Sequence, residues 1–157
     1  MSQPNSAYAP GLIDASGATV ADDSLEVLDF AAAVETLSGL NGAYAVRIDP
    51  GQDVRALIPY TDHIARFDVA FPGYRDGRGY STARILREAG FEGRVRAVGD
   101  VLRDQLFHML RCGFDEFVVK DRDPGEAIRT AATRYSTVYQ SAADTRRPAW
   151  ALRRAGA

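Results

Sequence analysis

Phe67-Asp68-Val69-Ala70-Phe71 runs straight into Pro72-Gly73-Tyr74-Arg75-Asp76-Gly77-Arg78-Gly79-Tyr80-Ser81, and a segment with helical spacing, Thr82 to Ala89, leaves it. A mostly apolar strand, a turn carrying glycines, charges and hydroxyls, and then a helix make one βα unit. In the helix, read over Ser81 to Ala89, Ile85, Leu86 and Ala89 share one face. Arg84 and Glu88 form an outward i,i+4 pair. Gly90 supplies the stop.

The same alternation recurs on both sides. Ala43 to Ile48 reads as a strand with Tyr44, Val46 and Ile48 on one face, and Asp49-Pro50-Gly51 turns it. Asp53 then caps a short helical stretch holding Val54, Leu57 and Ile58; a hairpin partner strand over Val54 to Ile58 is the competing reading. Arg94 to Gly99 is the next strand. Val101 to Cys112 is the next helix, with Leu102, Leu106, Met109 and Leu110 inward and Gly113 ending it. Glu116 to Lys120 is a strand, and Asp123-Pro124 opens a last long helix running to about Gln140. Upstream, Leu12 to Val20 reads as a small hairpin turning at Ser16-Gly17, and Asp22-Asp23-Ser24 as loop. Asp29 caps a helix whose apolar stripe is Phe30, Ala33, Val34 and Leu37, with Gly39 as its stop.

Alternation of this kind predicts an α/β fold: about four βα units with a parallel sheet, either half (βα)8-barrel-like or open and doubly wound. A small N-terminal hairpin and helix precede it. The whole of 1–157 is read as a single domain, with 1–10 and 145–157 as loose tails, the second docking through Trp150. Both arrangements put the functional edge at the C-terminal ends of the strands.

Composition bounds the partners. The chain has 157 residues, is 46% hydrophobic and 25% charged, and carries a net charge of −2, so no global field draws it to nucleic acid or to a membrane surface. No apolar run approaches the ~20 residues of a membrane span, and Met1 to Pro10 has no secretory pattern. The single Cys112 excludes an intrachain disulfide framework. The expected compartment is the cytoplasm. Every basic residue but Lys120 is arginine, a bias that by itself assigns no function.

The predicted edge gathers Asp49, the Pro72–Ser81 loop, Gly99-Asp100 and Lys120-Asp121. Arg78, Gly79, Tyr80 and Ser81 make the loop a candidate anion pocket: a glycine-shaped backbone, a helix start with Ser81 as its cap, and a planar bidentate donor. The alternative is a glycine-rich turn with a capped helix and an internal Arg–Asp pair. Arg103 and Gln105 follow the next strand, where a cation at a helix start needs a carboxylate or a bound anion as its partner. Asp100 is a candidate helix cap or general base, Asp76 a second candidate base, and Lys120 a candidate electrophile or Schiff-base lysine. His108 follows Asp104 by four residues and reads as a surface pair; Cys112 reads as a small buried residue. The third glycine of the dinucleotide fingerprint is missing, there is no GKS or GKT, and the two histidines suggest no metal site, so no cofactor is evident.

Asp76-Gly77-Arg78-Gly79-Tyr80-Ser81, then Ala83-Arg84, then Gly99-Asp100-Val101-Leu102-Arg103-Asp104-Gln105-Leu106, then Arg111-Cys112-Gly113-Phe114-Asp115, together resemble the bacterial family called domain of unknown function 934. The likeness is strongest over about 43–121. It implies an accessory protein or oxidoreductase of assimilatory sulfite reduction, with sulfite reductase or another sulfur-assimilation enzyme as partner. Six-electron reduction of sulfite needs flavin, haem-type or iron–sulfur centres. A chain with no motif for them is expected to assist the reductase by binding an anion or docking on it. The alternative is a small barrel-like α/β enzyme acting on a phosphate-, sulfate- or carboxylate-bearing metabolite. There Asp76 or Asp100 would be the base and Arg78 and Arg103 the clamps. Open sheet edges add self-association as an expectation.

Overall fold

The computed structural model describes residues 9–39 and 41–155. Its strands are β1 (Gly11–Asp14), β2 (Val27–Leu28), β3 (Tyr44–Ile48), β4 (Ile64–Phe71), β5 (Arg94–Val101) and β6 (Glu116–Val119). They form one open sheet in the order β1-β6-β5-β4-β3-β2. The hairpin strand β1 lies antiparallel on β6, and the other neighbours are parallel. The architecture is therefore a mixed α/β fold with a mostly parallel sheet that does not close into a barrel.

Strands β2 to β6 sit side by side in chain order. Crossovers of one hand then carry the connecting helices to one face. Side-chain burial agrees. Val46, Ile48, Phe67, Val69, Phe71, Val95, Ala97, Phe117 and Val119 share one cluster with the apolar residues of the helices, including Ala33, Leu57, Leu86, Met109 and Ile128. Ala45 and Ala70 are also buried, but on the other face and outside that cluster. Between Tyr44 and Ala45 the β3–β4 register slips, so one extra residue, Ala65, is accommodated on β4. That bulge returns Ile64 to the helical face.

The helices are α1 (Phe30–Thr36), α2 (Arg78–Glu88), α3 (Leu106–Cys112), α4 (Pro124–Thr133) and α5 (Ala149–Ala155), with a 3-10 helix over Val54–His63 as the first crossover. The predicted aspartate caps form. Asp29 accepts from the Ala32 N–H at 2.8 Å, Asp53 from Arg55 at 3.1 Å and Asp123 from Glu126 at 2.9 Å. Gly90 and Gly113 close α2 and α3 with positive φ. The Arg84–Glu88 pair forms on the outer face of α2 at 2.8 Å.

Several boundaries differ from the sequence reading. Helix α2 begins at Arg78, with Gly77 at the N-cap and no side chain capping it. Ser81 is thus inside the helix and is not its cap. Strand β5 continues through Val101, so Asp100 is in a strand; Leu102 takes the cap position before a 3-10 turn, Arg103–Gln105. Helix α4 stops at Thr133 and not near Gln140. The segment after it folds back on α3: Arg111 binds Asp144 at 3.2 Å and the Ala143 N–H donates to the Arg111 carbonyl at 2.9 Å. The C-terminal segment attaches through the buried Pro148, bridged to Val138, and carries helix α5, while Trp150 stays half exposed. The Val34 side chain, expected on the α1 stripe, is exposed.

The helix-free face of the sheet carries charge instead of hydrocarbon. Arg66 and Asp68 on β4, Arg94 and Arg96 on β5 and Glu116 on β6 are cross-strand neighbours. Arg66 holds both oxygens of Asp68 at 2.7 and 2.9 Å, and Arg96 holds Glu116 at 2.7 Å. Arg66, Arg96, Asp68 and Glu116 are all buried. The loop between β1 and β2 crosses this face. Its Asp23 binds Arg66 and lies 2.6 Å from Arg94, and its Asp22 binds Arg96 at 2.8 Å.

The hydrogen bond from Arg96 holds Asp22 below the ordinary carboxylate range. Burial would raise Asp23, but hydrogen bonds from Arg66 and Arg94 overcome it and leave that carboxyl lowered too. A carboxylate with a depressed folded pKa adds stability above its unfolded value, near ~3.9, and loses it as pH falls through the folded value. The melting temperature is expected to hold steady from pH 8 to 5 and to drop below about pH 4. In thermal melts across pH, the Asp22→Asn/Asp23→Asn variant should show a shallower acid drop.

Candidate functional site

The C-terminal strand ends collect the predicted residues, and the structure divides them into scaffold and surface. Gly79 is buried and lies so close to β4 that a Cβ there would sit 2.6 Å from the Phe71 ring. Its role is to let α2 approach the sheet. Tyr80 packs edge-on to Phe71 with ring centroids 5.4 Å apart, and burial pushes its hydroxyl pKa up, so it is a neutral group at physiological pH. Gln105 is also buried. Its carbonyl oxygen accepts from the Leu102 N–H at 3.0 Å and its amide donates to the Tyr74 carbonyl at 3.1 Å. It ties the β4–α2 loop to the β5–α3 turn.

Arg78 and Arg103 are exposed, and each has a carboxylate partner. Arg78 binds both oxygens of Asp76, at 3.0 and 2.7 Å, which realises the internal Arg–Asp pair. Arg103 binds both oxygens of Asp121 at 2.9 Å, which is the partner a cation at that helix start requires. These hydrogen bonds hold Asp76 and Asp121 below the usual carboxylate range and raise the two guanidinium groups. A base so depressed accepts a proton poorly near neutral pH. Asp100 is half buried, Lys120 is exposed, and among the described residues no hydrogen bond joins any two of Asp76, Asp100 and Lys120.

What the fold does bring together is Arg78, Ser81 and a residue the sequence reading passed over, Arg55. They line a groove of about 280 Å³ with Gly51, Gln52, Asp53, Val54, Thr82 and Ile85. One wall is the turn after β3 and the first residues of the 3-10 helix. The other is the N-terminal half of α2. The turn is fixed by Gln52, which accepts from the Asp49 N–H at 2.7 Å. Asp76 takes Nε and Nη2 of Arg78, while Nη1 faces Gly51, 3.3 Å from where a Cβ would stand there. Two guanidinium groups, the Asp53 carboxylate and two hydroxyls thus border one groove of mixed polar and apolar lining, beside a helix start whose first N–H, that of Arg78, donates to Asp76 at 3.2 Å. The available signal for Arg55 was the Asp53 cap, which sets the 3-10 helix alongside α2.

A larger cavity, about 440 Å³, lies between the β1 hairpin and the start of α4, bordered by Gly17, Asp121, Arg122 and Arg129. His108 packs edge-on to Phe107, 5.5 Å between ring centroids, and makes no hydrogen bond to Asp104 among the described residues. Burial pushes the Cys112 thiol pKa up, which suits a packed residue and not a nucleophile. Among the described residues no group of three or more His, Cys, Asp and Glu side chains is placed to hold a metal ion. No helix among them is long and apolar enough to cross a membrane.

Fold and site together define an open, mainly parallel α/β protein with an arginine-bordered groove at its C-terminal strand ends. The chain belongs to the family described as "Bacterial protein of unknown function (DUF934)", whose model matches residues 45–150. That span runs from β3 into α5 and contains every motif that carried the resemblance. The β1 hairpin and the Asp22-Asp23 loop precede it. No curated protein matches the chain.

Proposed function

We propose that the protein is a cytoplasmic accessory protein of assimilatory sulfite reduction that binds an anion in the groove between the Gly51–Arg55 segment and α2. The observation that carries the anion reading is that Arg55 and Arg78 line the same groove, with Ser81 and Thr82 on its wall; Arg55 holds Asp53 at 3.2 Å and Arg78 holds Asp76. Guanidinium groups offer planar, bidentate donors that match sulfur oxyanions, phosphate and carboxylate alike. The sulfur context comes from the family resemblance. An anion presented by the reductase, or a free sulfur oxyanion, would bridge the two arginines and lie beside the positive end of α2.

A thermal-shift screen with sulfite, sulfate, phosphate, adenosine phosphosulfate and flavins tests this. A ligand of the folded state at ~100 times its Kd raises the melting temperature by about 5 °C or more in a chain of this size. Arg78→Ala and Arg55→Ala should each abolish most of the shift, because both are exposed and serve no packing. Arg103→Ala should leave it in place, since Arg103 does not line the groove. A shift that survives loss of both Arg55 and Arg78 overturns the groove as the site. Copurification with sulfite reductase tests the partner separately.

A further inference from the structure

We propose a second anion site, on the helix-free face of the sheet, which the segment 20–26 closes with its own carboxylates and which takes a small polyvalent oxyanion when that strap lifts. This site is separate from the Arg55–Arg78 groove and does not depend on it.

Three arginines converge there, Arg66, Arg94 and Arg96, against only two carboxylates from the sheet, Asp68 and Glu116. These five side chains alone sum to +1, and Asp22 and Asp23 bring the sum to −1; Asp14, opposite Glu116, and Arg47, opposite Asp68 and paired with Asp49, lie on the same face outside this cluster. Asp23 bridges guanidinium groups of two strands: one oxygen is on Arg66, and the other lies 2.6 Å from Arg94 and 4.0 Å from Arg96. One anion shared by several guanidinium groups is how an oxyanion is held. The fit is also incomplete. Oδ2 of Asp23 is taken by Arg94, and among the described residues the buried Nη2 of Arg96 has no hydrogen-bond partner. A tetrahedral oxyanion has the further oxygen that this donor lacks.

The strap is fastened in a way that permits release. The Val20 N–H donates to the Leu12 carbonyl, and the Glu26 carbonyl accepts from Ala45. Between these two points, no backbone–backbone hydrogen bond among the described residues ties it to the fold, and no residue from Ala21 to Glu26 is buried. Its hold on the sheet is the ion pairs of Asp22 and Asp23. Asp22 is 74% exposed although its partner Arg96 is 5% exposed. Beneath the strap the arginines stay in place, because Arg66 keeps Asp68 and Arg96 keeps Glu116. A free oxyanion must outcompete a tethered one, so binding to the intact chain is weakened by the strap's effective concentration.

The test uses the full chain carrying Arg55→Ala and Arg78→Ala, so that the groove contributes nothing. Hydrogen exchange at residues 21–25 is measured with 10 mM pyrophosphate or sulfate and with potassium chloride at matched ionic strength. Faster exchange at 21–25 with the oxyanion only, and no change in β4 and β5, is the expected result. In isothermal titration, adding Asp22→Asn/Asp23→Asn should tighten pyrophosphate binding at least tenfold, and adding Arg96→Gln should remove the gain. Exchange that responds equally to chloride overturns the proposal, as does a folded Asp22→Asn/Asp23→Asn variant that binds no tighter. If that variant fails to fold, the exchange result decides alone.

Discussion

Glu116→Ala is expected to cost about 3–5 kcal/mol of folding stability, the usual penalty for leaving a buried charge without its partner. Glu116 is 5% exposed and so is Arg96, whose Nε it accepts at 2.7 Å; Arg94 also reaches Glu116 at 3.2 Å. Alanine would leave the buried Nε of Arg96 without an acceptor, with only Nη1 still bonded, to Asp22. Asp68 is 3.9 Å from that Nε, too far to replace the lost hydrogen bond, and Asp22 is already used at the other nitrogen. The melting temperature should fall by on the order of 10 °C. Urea unfolding should show a lower midpoint with an unchanged slope. Replacing both partners, Arg96→Met with Glu116→Leu, should cost less than Glu116→Ala alone, because the one carboxylate it leaves unpaired, Asp22, is 74% exposed and stays solvated. A double-mutant cycle that gave no coupling between the two would contradict this account of the face.

The second large effect is expected at Gly99. Its φ is +103°, a conformation that L side chains rarely adopt, and a Cβ there would overlap the carbonyl oxygen of Phe71. The two faults add: backbone strain of ~1–3 kcal/mol and a clash with a strand that cannot move without disturbing the core. Gly99→Ala should therefore lose about 2–4 kcal/mol in denaturant unfolding. The position has a structural reason. Gly99 pairs with Phe71 on β4, while toward β6 the ladder jumps from Ala97–Phe117 to Val101–Val119, so β5 carries a bulge at residues 98–100. Gly73→Ala is the control. No atom lies within 4 Å of a Cβ built there and its φ is not positive. Its stability should stay within about 1 kcal/mol of the parent.

The strands and most helix starts were legible because they are written in local pattern. Tyr44, Val46 and Ile48 alternate, Phe67, Val69 and Phe71 alternate, and Asp29, Asp53 and Asp123 stand where caps belong. Two kinds of feature were not legible. The first is competition between local signals and packing. Ser81 is a better cap residue than Gly77, yet α2 starts earlier because Gly79 must lie against Phe71. Gly99-Asp100 reads as a strand end, yet the bulge carries β5 on to Val101. The second is burial decided from a distance. By alternation Arg66, Asp68, Arg94, Arg96 and Glu116 belong on a wet face. All but Arg94 are buried, because Asp22 and Asp23, far upstream, lie over them. For the same reason the groove was half found: Arg78 and Ser81 stand in one motif, while Arg55 comes from the preceding crossover. The Arg–Asp pairing of residues 78 and 76 was legible because it is local. The partner of Arg103 was foreseen only as a type, and Asp121 supplies it.

Strand β1 is the first part of the described chain to be synthesised, yet its only neighbour in the sheet is β6, with Gly11 opposite Val119. The strands between can add one after another, each on the one just made. β1 has to wait until Glu116–Val119 has emerged, and the loop that follows it waits as well. Docking of the N-terminal hairpin is then a late event in folding, made by the longest loop closure in the sheet. Until it happens, one edge of β6 stands open to pairing with another chain.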